Sequence, residues 1–172
     1  MKELKRIDVA TYKSSEKMPV ILVLDNIRSL NNIGSAFRTA DAFRVEKIYL
    51  CGITAKPPHR EIYKTALGAT ESVEWEYCET TMDAIKEIKK QKISVVAIEQ
   101  CQHSVLLNEF TPLKGQKTAF VFGNEVDGVL EEVLENSDKV VEIPQYGTKH
   151  SLNISVSIGI VLWRVFEEIK FF

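Results

Sequence analysis

Short apolar runs alternate with segments of helical periodicity along most of the chain. Runs rich in β-branched and aromatic residues predict strands at residues 20–24, 47–51, 72–77, 93–98, 117–122 and 140–143. Apolar side chains at helical spacing predict helices at residues 33–43, 60–66, 80–90 and 127–134. Strands that alternate with helices are typical of an α/β protein, so we expect a mainly parallel sheet with helices on both faces.

The last apolar stretch fits two structures. Every second residue from Leu152 to Ile160 is apolar, which favours a strand. From Val161 to Ile169 the apolar spacing becomes helical. The periodicity alone therefore leaves both strand and helix open for residues 152–160.

The length and the net charge of the chain limit the number of domains and the classes of function. The 172 residues fit one domain, and we expect a polar N-terminal arm at residues 1–18 before a domain at residues 19–172. The net charge of -2 argues against a non-specific nucleic-acid binder, because such affinity comes from neutralised phosphates. An enzyme with a local basic cleft stays compatible with this charge.

The cysteines and the apolar segments bear on the compartment. Cys51, Cys78 and Cys101 are odd in number and form no C-x-x-C pair, which is typical of reduced thiols. The N-terminus carries no apolar signal-peptide core, and residues 152–162 are too few and too polar to cross a bilayer. We expect a cytoplasmic protein that does not associate with membranes.

Three polar segments each follow a predicted strand. They are residues 31–40, which begin Asn-Asn-Ile-Gly, residues 122–128, which read Phe-Gly-Asn-Glu-Val-Asp-Gly, and residues 151–153, which read Ser-Leu-Asn. Ligands of open α/β sheets bind at the carboxyl ends of the strands. We therefore expect the three segments to form one site.

Several common sites are excluded by their motifs. No pair of glycines has the G-x-G spacing of a dinucleotide fold, and Val129-Leu130 stands where a P-loop needs Lys-Ser/Thr after Gly123 and Gly128. The three histidines are far apart without a metal-binding motif, so no metal is expected. His150 beside Ser151 lacks the G-x-S-x-G elbow of a nucleophilic serine.

Each polar residue also has an ordinary structural interpretation. Asn32 could cap the helix at residues 33–43, and Arg38 could form a surface salt bridge. Glu125 could be a solvated acid, and Ser151 and Asn153 could cap a terminal helix. Only the combination of the three segments is specific.

That combination resembles the SPOUT class of methyltransferases, specifically the TrmH/SpoU-type RNA ribose 2′-O-methyltransferases. The resemblance covers about residues 20–166. Its first motif, N-x-G-x-x-x-R, matches Asn32, Gly34 and Arg38. The second and third, G-N-E-x-x-G and I-P…S-L-N, match the residues Gly123, Asn124, Glu125, Gly128, Ile143, Pro144, Ser151, Leu152 and Asn153.

The resemblance implies a fold and a reaction. It implies a C-terminal deep trefoil knot, a helix from the Ser151 segment onward, and a homodimer with catalytic residues near its interface. S-adenosylmethionine would contact Gly123, Ile143 and Leu152, and a methyl group would pass to a ribose 2′-hydroxyl of RNA. The implied catalytic residues are Arg38, Asn32, Glu125, Ser151 and Asn153. Arg38 would orient ribose and phosphate or accept the proton.

The substrate is less defined than the reaction. Transfer RNA is preferred over ribosomal RNA, because the short chain resembles compact tRNA-modifying members. In residues 64–69, Ala66 and Leu67 depart from a family run that often has Ser and Ala there. The alternatives are a non-catalytic knotted RNA-binding or assembly protein and a base methyltransferase of the same class. A homodimer is also expected from surplus apolar residues at Ile158, Val161, Leu162 and Val165.

Overall fold

A computed structural model describes residues 7–112 and 115–169. Its strands are β1 (Met18–Asp25), β2 (Val45–Cys51), β3 (Glu74–Cys78), β4 (Ser94–Ile98), β5 (Val105–Leu106), β6 (Thr118–Phe122) and β7 (Lys139–Glu142). Its helices are α1 (Val9–Ser14), α2 (Leu30–Ala42), α3 (Arg60–Ala66), α4 (Ala69–Ser72), α5 (Thr81–Lys90), α6 (Glu131–Glu135) and α7 (Ile154–Ile169).

The described strands form one parallel sheet, which confirms the predicted α/β architecture. The strand order is β3-β2-β1-β6-β4-β7-β5. β1 lies near the centre, where Leu22 is paired with Ile48 of β2 on one side and Phe120 of β6 on the other. The order places β6 between β1 and β4, although β4 precedes it in the chain. The knot in the C-terminal part stays a prediction.

Helices cover both faces of the sheet, and each face has its own apolar core. One core joins α2, α3, α4 and α7 to the sheet, with Phe37 and Leu162 fully buried. The other joins α5 and α6 to the opposite face, where Ile85 and Val133 are buried. Because the central strands are covered on both sides, they are continuously apolar rather than alternating.

The C-terminal segment is a helix, as the resemblance implied, but it begins at Ile154 and not at Ser151, and the alternative strand does not form. The residues that α7 buries are four, seven, eight and eleven positions apart from the first, as on one helical face: Ile154, Ile158, Val161, Leu162 and Val165. Val156 and Ile160 are 49% and 37% exposed. These two outward apolar residues complete the alternation and imitate a strand.

The same burial removes one argument for a dimer. Ile158, Val161, Leu162 and Val165 are all buried within the chain itself, so they are not surplus apolar surface. The exposed apolar side chains of α7 are instead Val156, Ile160 and Trp163. The homodimer stays a prediction that these three residues can support.

Other boundaries differ for local reasons. Residues 69–72 form α4, so the strand predicted from residue 72 begins at Glu74. The helix predicted at residues 127–134 is only α6, because residues 124–128 form a turn closed by a bridge between Asn124 and Gly128. The predicted N-terminal arm contains α1, whose Tyr12 is packed in the core. Residues 1–6 of that arm lie outside the described residues.

Among the described residues, no helix has both the length and the apolar character that a bilayer crossing demands.

Candidate active site

A cavity of about 480 Å³ lies at the carboxyl ends of three neighbouring strands. Its walls include Ile98 at the end of β4, Phe122 at the end of β6 and Glu142 at the end of β7. The predicted site residues that line it are Gly123, Glu125, Ile143, Ser151 and Leu152. The position and size are typical of a small-molecule site in an open α/β sheet.

One wall of the cavity is the loop at residues 123–129, which is held by its own asparagine. The buried Asn124 accepts hydrogen bonds at Oδ1 from the backbone N–H of Val126 at 3.0 Å and of Asp127 at 2.9 Å. Gly128 donates its N–H to the Asn124 carbonyl and has a φ of +67°, which favours glycine. These bonds fold the loop back on itself.

Gly123 permits this fold because it has no side chain. A Cβ at residue 123 would fall well inside van der Waals contact of the Gly128 carbonyl and the Val129 nitrogen. Those atoms are backbone, so they cannot move aside as a flexible side chain would. The glycine at the start of the motif is therefore required by the shape of the loop.

Glu99, which belongs to none of the three motifs, connects the same loop to the end of β4. Its Oε2 accepts the N–H of Val129 at 2.9 Å, and its Oε1 accepts the N–H of Gln100 at 2.9 Å. Glu99 also lines the cavity. Its place directly after the strand predicted at residues 93–98 was a signal that could have identified it.

Asn32, Glu125 and Asn153 meet although they come from three separate motifs. The Asn32 Nδ2 donates a hydrogen bond to Glu125 Oε1, and its Oδ1 accepts one from Asn153 Nδ2 at 3.1 Å. These bonds join α2, the loop at residues 123–129 and the start of α7. The structure thus brings together one polar residue from each predicted segment.

Asn32 and Asn153 were both expected as possible helix caps, and only Asn153 has that role in the structure. The N-cap of α2 is Ser29, which accepts the N–H of Asn32, so Asn32 lies in the first turn and is not the cap. Asn153 does bind the start of α7, because its Oδ1 accepts the N–H of Ser155 at 2.9 Å. Its Nδ2 remains available for Asn32.

Asp25, a second residue not singled out, joins the end of β1 to the residues after the loop. It is fully buried, and its carboxylate accepts hydrogen bonds from the hydroxyl of Thr81 and the N–H of Leu130. At the surface, Arg28 forms an ion pair with Asp127 at 3.4 Å. The end of β1 is therefore joined to the residue after the loop, and the β1–α2 connection is joined to the loop itself.

Arg38 is the predicted site residue that stands apart. Its side chain is exposed on α2, and it is not among the residues that line the cavity. Within the described part of the chain, Arg38 has no hydrogen bond or ion pair that would hold it in place. A single subunit therefore does not bring Arg38 to the cavity wall.

The cavity combines an apolar part with an acidic part. Ile98, Phe122 and Leu152 supply apolar surface. The carboxylates on its lining are Glu99, Glu125, Asp127 and Glu142, and of these Asp127 has a cationic partner in Arg28. This lining suits a ligand with positive charge and an apolar portion better than an anion.

S-Adenosylmethionine fits these properties. It is a cation with an aromatic base, and a cavity of about 480 Å³ is in the range that holds cofactors of its size. Across residues 7–112 and 115–169, no group of three or more His, Cys, Asp or Glu is arranged to hold a metal ion.

Most of the chain matches a known family. Residues 19–163 match the model of the SpoU rRNA Methylase family. The chain belongs to that family. The match covers all three predicted motifs, which confirms the resemblance stated from Asn32, Glu125 and Asn153.

Curated relatives act on two kinds of RNA. The 23S rRNA (guanosine-2′-O-)-methyltransferase RlmB of Neisseria meningitidis is 33% identical over 144 residues, which are 84% of this chain and 56% of that enzyme. The tRNA (guanosine(18)-2′-O)-methyltransferase of Aquifex aeolicus is 32% identical over 166 residues, which are 94% of this chain and 74% of that enzyme. The chain thus spans little more than half the length of the rRNA enzyme.

Solved structures share the fold. The TrmH/SpoU tRNA modifying enzyme of A. aeolicus superposes with a TM-score of 0.81 at 28% identity, covering 94% of this chain and 80% of that one. An rRNA methyltransferase from Sinorhizobium meliloti with AdoMet bound gives 0.81 at 27% identity, covering 88% and 57%.

Proposed function

We propose that the protein transfers a methyl group from S-adenosylmethionine to a ribose 2′-hydroxyl of RNA. The observation that carries this proposal is the contact of Asn32, Glu125 and Asn153 beside a cavity of cofactor size. Membership in the SpoU family supports it. The cytoplasm is its proposed compartment, in keeping with free thiols at Cys51, Cys78 and Cys101.

The cofactor-binding residues are proposed from the cavity. Gly123, Ile143 and Leu152 would contact the cofactor, largely through backbone groups of the two loops that line the cavity. When bound, S-adenosylmethionine would supply the methyl group from its sulfonium and leave as a neutral thioether, while the proton of the 2′-hydroxyl would pass to water. Glu99, Glu125 and Glu142 would favour its positive charge before transfer.

The acceptor side of the site needs a group that orients ribose and phosphate. Arg38 would have this role. The Asn32 amide and the Ser151 hydroxyl would form hydrogen bonds that order the adjacent wall of the site. An arginine keeps its proton at neutral pH, so Arg38 acts first as a positioning cation for the substrate phosphate. Alignment of the hydroxyl with the methyl group is a large part of catalysis in such a transfer.

A homodimer would bring Arg38 to the cavity. Arg38 is exposed and lies outside the cavity of its own chain. The Arg38 side chain beside each cavity would therefore come from the partner chain. The exposed apolar face of α7, with Val156, Ile160 and Trp163, gives a surface for that contact.

Transfer RNA is the proposed substrate, ahead of ribosomal RNA. Relatives of both kinds have similar identity to this chain, 32% for the Aquifex tRNA enzyme and 33% for the Neisseria rRNA enzyme. The relatives support RNA as the class of substrate, and the choice between the two is our proposal.

Two measurements test the function. Calorimetry with S-adenosylmethionine should show binding, and no binding would favour a non-catalytic RNA-binding or assembly protein. Sequencing-based mapping of ribose methylation in cells that lack the gene should show the loss of one mark. Loss of a methylated base with every ribose mark retained would instead indicate a base methyltransferase.

A further inference from the structure

The exposed side of α3 carries an unusual set of residues. Arg60, Tyr63, Lys64 and Leu67 are three, four and seven positions apart from the first, so they lie on one face of the helix and its cap. We name this set the α3 stripe. Tyr63 is 39% exposed and Leu67 is 66% exposed, and both cations are exposed.

The charge around the α3 stripe contrasts with that of the chain. Residues 53–67 contain Lys56, Arg60 and Lys64 against Glu61 alone, a net charge of +2, whereas the whole chain has -2. Glu61 is paired with Lys64 at 2.7 Å, which leaves Lys56 and Arg60 without an acidic partner among the described ion pairs. The stripe is thus a local basic surface on an acidic protein.

Leu67 adds a feature that packing does not explain. It ends α3 in the left-handed conformation with a φ of 50°, which is uncommon for a leucine and usual for glycine or asparagine. It is also the most exposed apolar side chain of this helix region. The exposed side chain of Leu67 therefore adds apolar contact surface at the end of the α3 stripe.

The helix α3, which carries the stripe on its exposed side, packs through its other side next to the proposed active site. Gly34 of α2 is packed so closely on α3 that a Cβ there would collide with the carbonyl of Ile62 and the side chain of Thr65. The Thr65 hydroxyl donates a hydrogen bond to the carbonyl of Asn31 at 3.1 Å. Asn31 precedes Asn32, so α3 borders the first turn of α2 that carries the Asn32–Glu125–Asn153 contact.

We propose that the α3 stripe binds a single-stranded segment of the substrate RNA beside the target nucleotide. This inference rests on the proposed function. Arg60 and Lys64 would neutralise phosphates, while Tyr63 would stack on a base and Leu67 would pack at its edge. Cations around an exposed aromatic ring are the features that single-stranded RNA sites combine. An interface with a second copy of the chain is less suited, because interface cores are depleted of lysine.

The charge contribution is tested with a matched pair of double variants. Arg60→Ala/Lys64→Ala removes two cations four residues apart on α3, and Lys86→Ala/Lys90→Ala removes two exposed cations with the same spacing on α5, on the opposite face of the sheet. Binding of a fluorescein-labelled single-stranded RNA of mixed sequence is measured by anisotropy at several salt concentrations. The α3 variant should reduce the slope of log K against log salt by about 1.4, two phosphates at ~0.7 each, and the α5 variant should not.

The aromatic contribution is tested with Tyr63→Ala and Tyr63→Phe. The alanine should weaken RNA binding roughly tenfold and the phenylalanine should not, because stacking needs the ring and not the hydroxyl. Unchanged binding in both the charge and the Tyr63→Ala variants overturns the proposal, as does a wild-type protein that does not bind the probe. Variants that sediment as monomers where the wild type is a dimer also overturn it, in favour of a subunit interface.

A separate measurement distinguishes this failure from failure of the function itself. Wild-type protein is assayed for methyl transfer from labelled S-adenosylmethionine to total RNA of cells that lack the gene. If transfer occurs and the α3 variants bind cofactor and methylate RNA like wild type, the proposed RNA-binding role of the α3 stripe is wrong. The proposed methyltransferase function is then unaffected. If wild type transfers no methyl group, the proposed function fails instead.

Discussion

Asn153 and Asn32, 121 residues apart in the sequence, are joined by a hydrogen bond of 3.1 Å from the Nδ2 of Asn153 to the Oδ1 of Asn32. The other end of the Asn32 amide donates to Glu125. The orientation of this amide is therefore fixed by one donor, Asn153, and one acceptor, Glu125. Neither an aspartate nor a leucine of similar shape could serve both.

Asn32→Asp should reduce methyl transfer more than it reduces cofactor binding. The aspartate keeps the acceptor for Asn153 but replaces the donor for Glu125 with a second carboxylate, and two like charges repel. We expect a loss of about 1 kcal/mol in unfolding free energy, typical of a hydrogen bond, and a larger loss in kcat. Urea denaturation and single-turnover methyl transfer measure the two.

The second substitution Glu125→Gln serves as the internal control. In the double variant the glutamine amide can donate to the aspartate, so donor and acceptor are exchanged and the contact is restored. We expect the double variant to recover the unfolding free energy lost by Asn32→Asp. Additive losses in the double variant would mean that the two side chains do not interact.

Arg38→Ala should abolish methyl transfer and leave S-adenosylmethionine affinity near that of wild type, since Arg38 lies outside the cavity. Arg38→Lys should recover little, because lysine lacks the planar fork that binds phosphate bidentately. Turnover on the substrate RNA and calorimetry with the cofactor check the two effects. Near wild-type turnover of the alanine variant would remove Arg38 from the proposed site.

Mixing inactive variants tests whether the partner chain supplies Arg38. When equal amounts of Arg38→Ala and Glu125→Ala protein exchange subunits, half of the dimers are mixed, and each would contain one site with both residues intact. About a quarter of wild-type activity should return in a closed two-fold dimer. No recovery, with subunit exchange verified, would place both residues of a site on one chain.

Gly123→Ala should disrupt the loop at residues 123–129. The added Cβ meets the backbone of Gly128 and Val129, so the loop has to shift. We expect a destabilisation of about 1–3 kcal/mol, typical of overpacking, with loss of S-adenosylmethionine binding. Gly147→Ala is the matched control, because a Cβ there has no neighbour within 4 Å. Thermal unfolding and calorimetry of both variants provide the comparison.

The local elements were largely predictable, whereas their arrangement was not. The run at residues 20–24 predicted the core of β1, because a strand covered on both faces is continuously apolar. Nothing in the local pattern places β6 between β1 and β4, since strand order is set by contacts between residues far apart in sequence. In α7 the outward Val156 and Ile160 produce the alternating pattern of a strand. Periodicity therefore left strand and helix open, and only the resemblance indicated a helix.

The candidate site divides in the same way. Asn32, Glu125 and Asn153 were identified through motifs, and the structure brings them together. Glu99 and Asp25 were missed, because an acid after a strand is common in sequence and gains meaning only from the N–H groups that it accepts in space. Residues that hold the loops but belong to no motif are identified only by their hydrogen bonds in the structure.

The cysteines should differ in reactivity. Burial, with a smaller effect of the neighbouring Cys78, raises the pKa of the Cys51 thiol well above its usual range, and Cys51 has no exposed surface. The reactive species is the thiolate, so Cys51 should resist iodoacetamide at pH 7.5, while the partly exposed Cys101 reacts first. Peptide mass spectrometry over time gives the order. Alkylation of Cys51 at the rate of Cys101 in folded protein would contradict its burial.

Glu99 should position the loop at residues 123–129 through its carboxylate. Its two oxygens accept the N–H groups of Val129, at the end of that loop, and of Gln100, its neighbour in the sequence. Glu99→Ala leaves both N–H groups without this partner and should raise the dissociation constant for S-adenosylmethionine about tenfold, equivalent to one such bond to a charged group. Glu99→Gln keeps one acceptor oxygen and should lie between the alanine variant and wild type.

A positioning role is distinguished from general instability by comparing cofactor affinity with local amide exchange. Both Glu99 variants are compared by calorimetry with the cofactor and by hydrogen exchange at Val129 and Gln100. Faster exchange at these two amides together with weaker binding is the expected pattern for a carboxylate that holds the loop. Equal cofactor affinity in wild type and Glu99→Ala would mean that the bonds within residues 123–129, centred on Asn124, hold the loop by themselves.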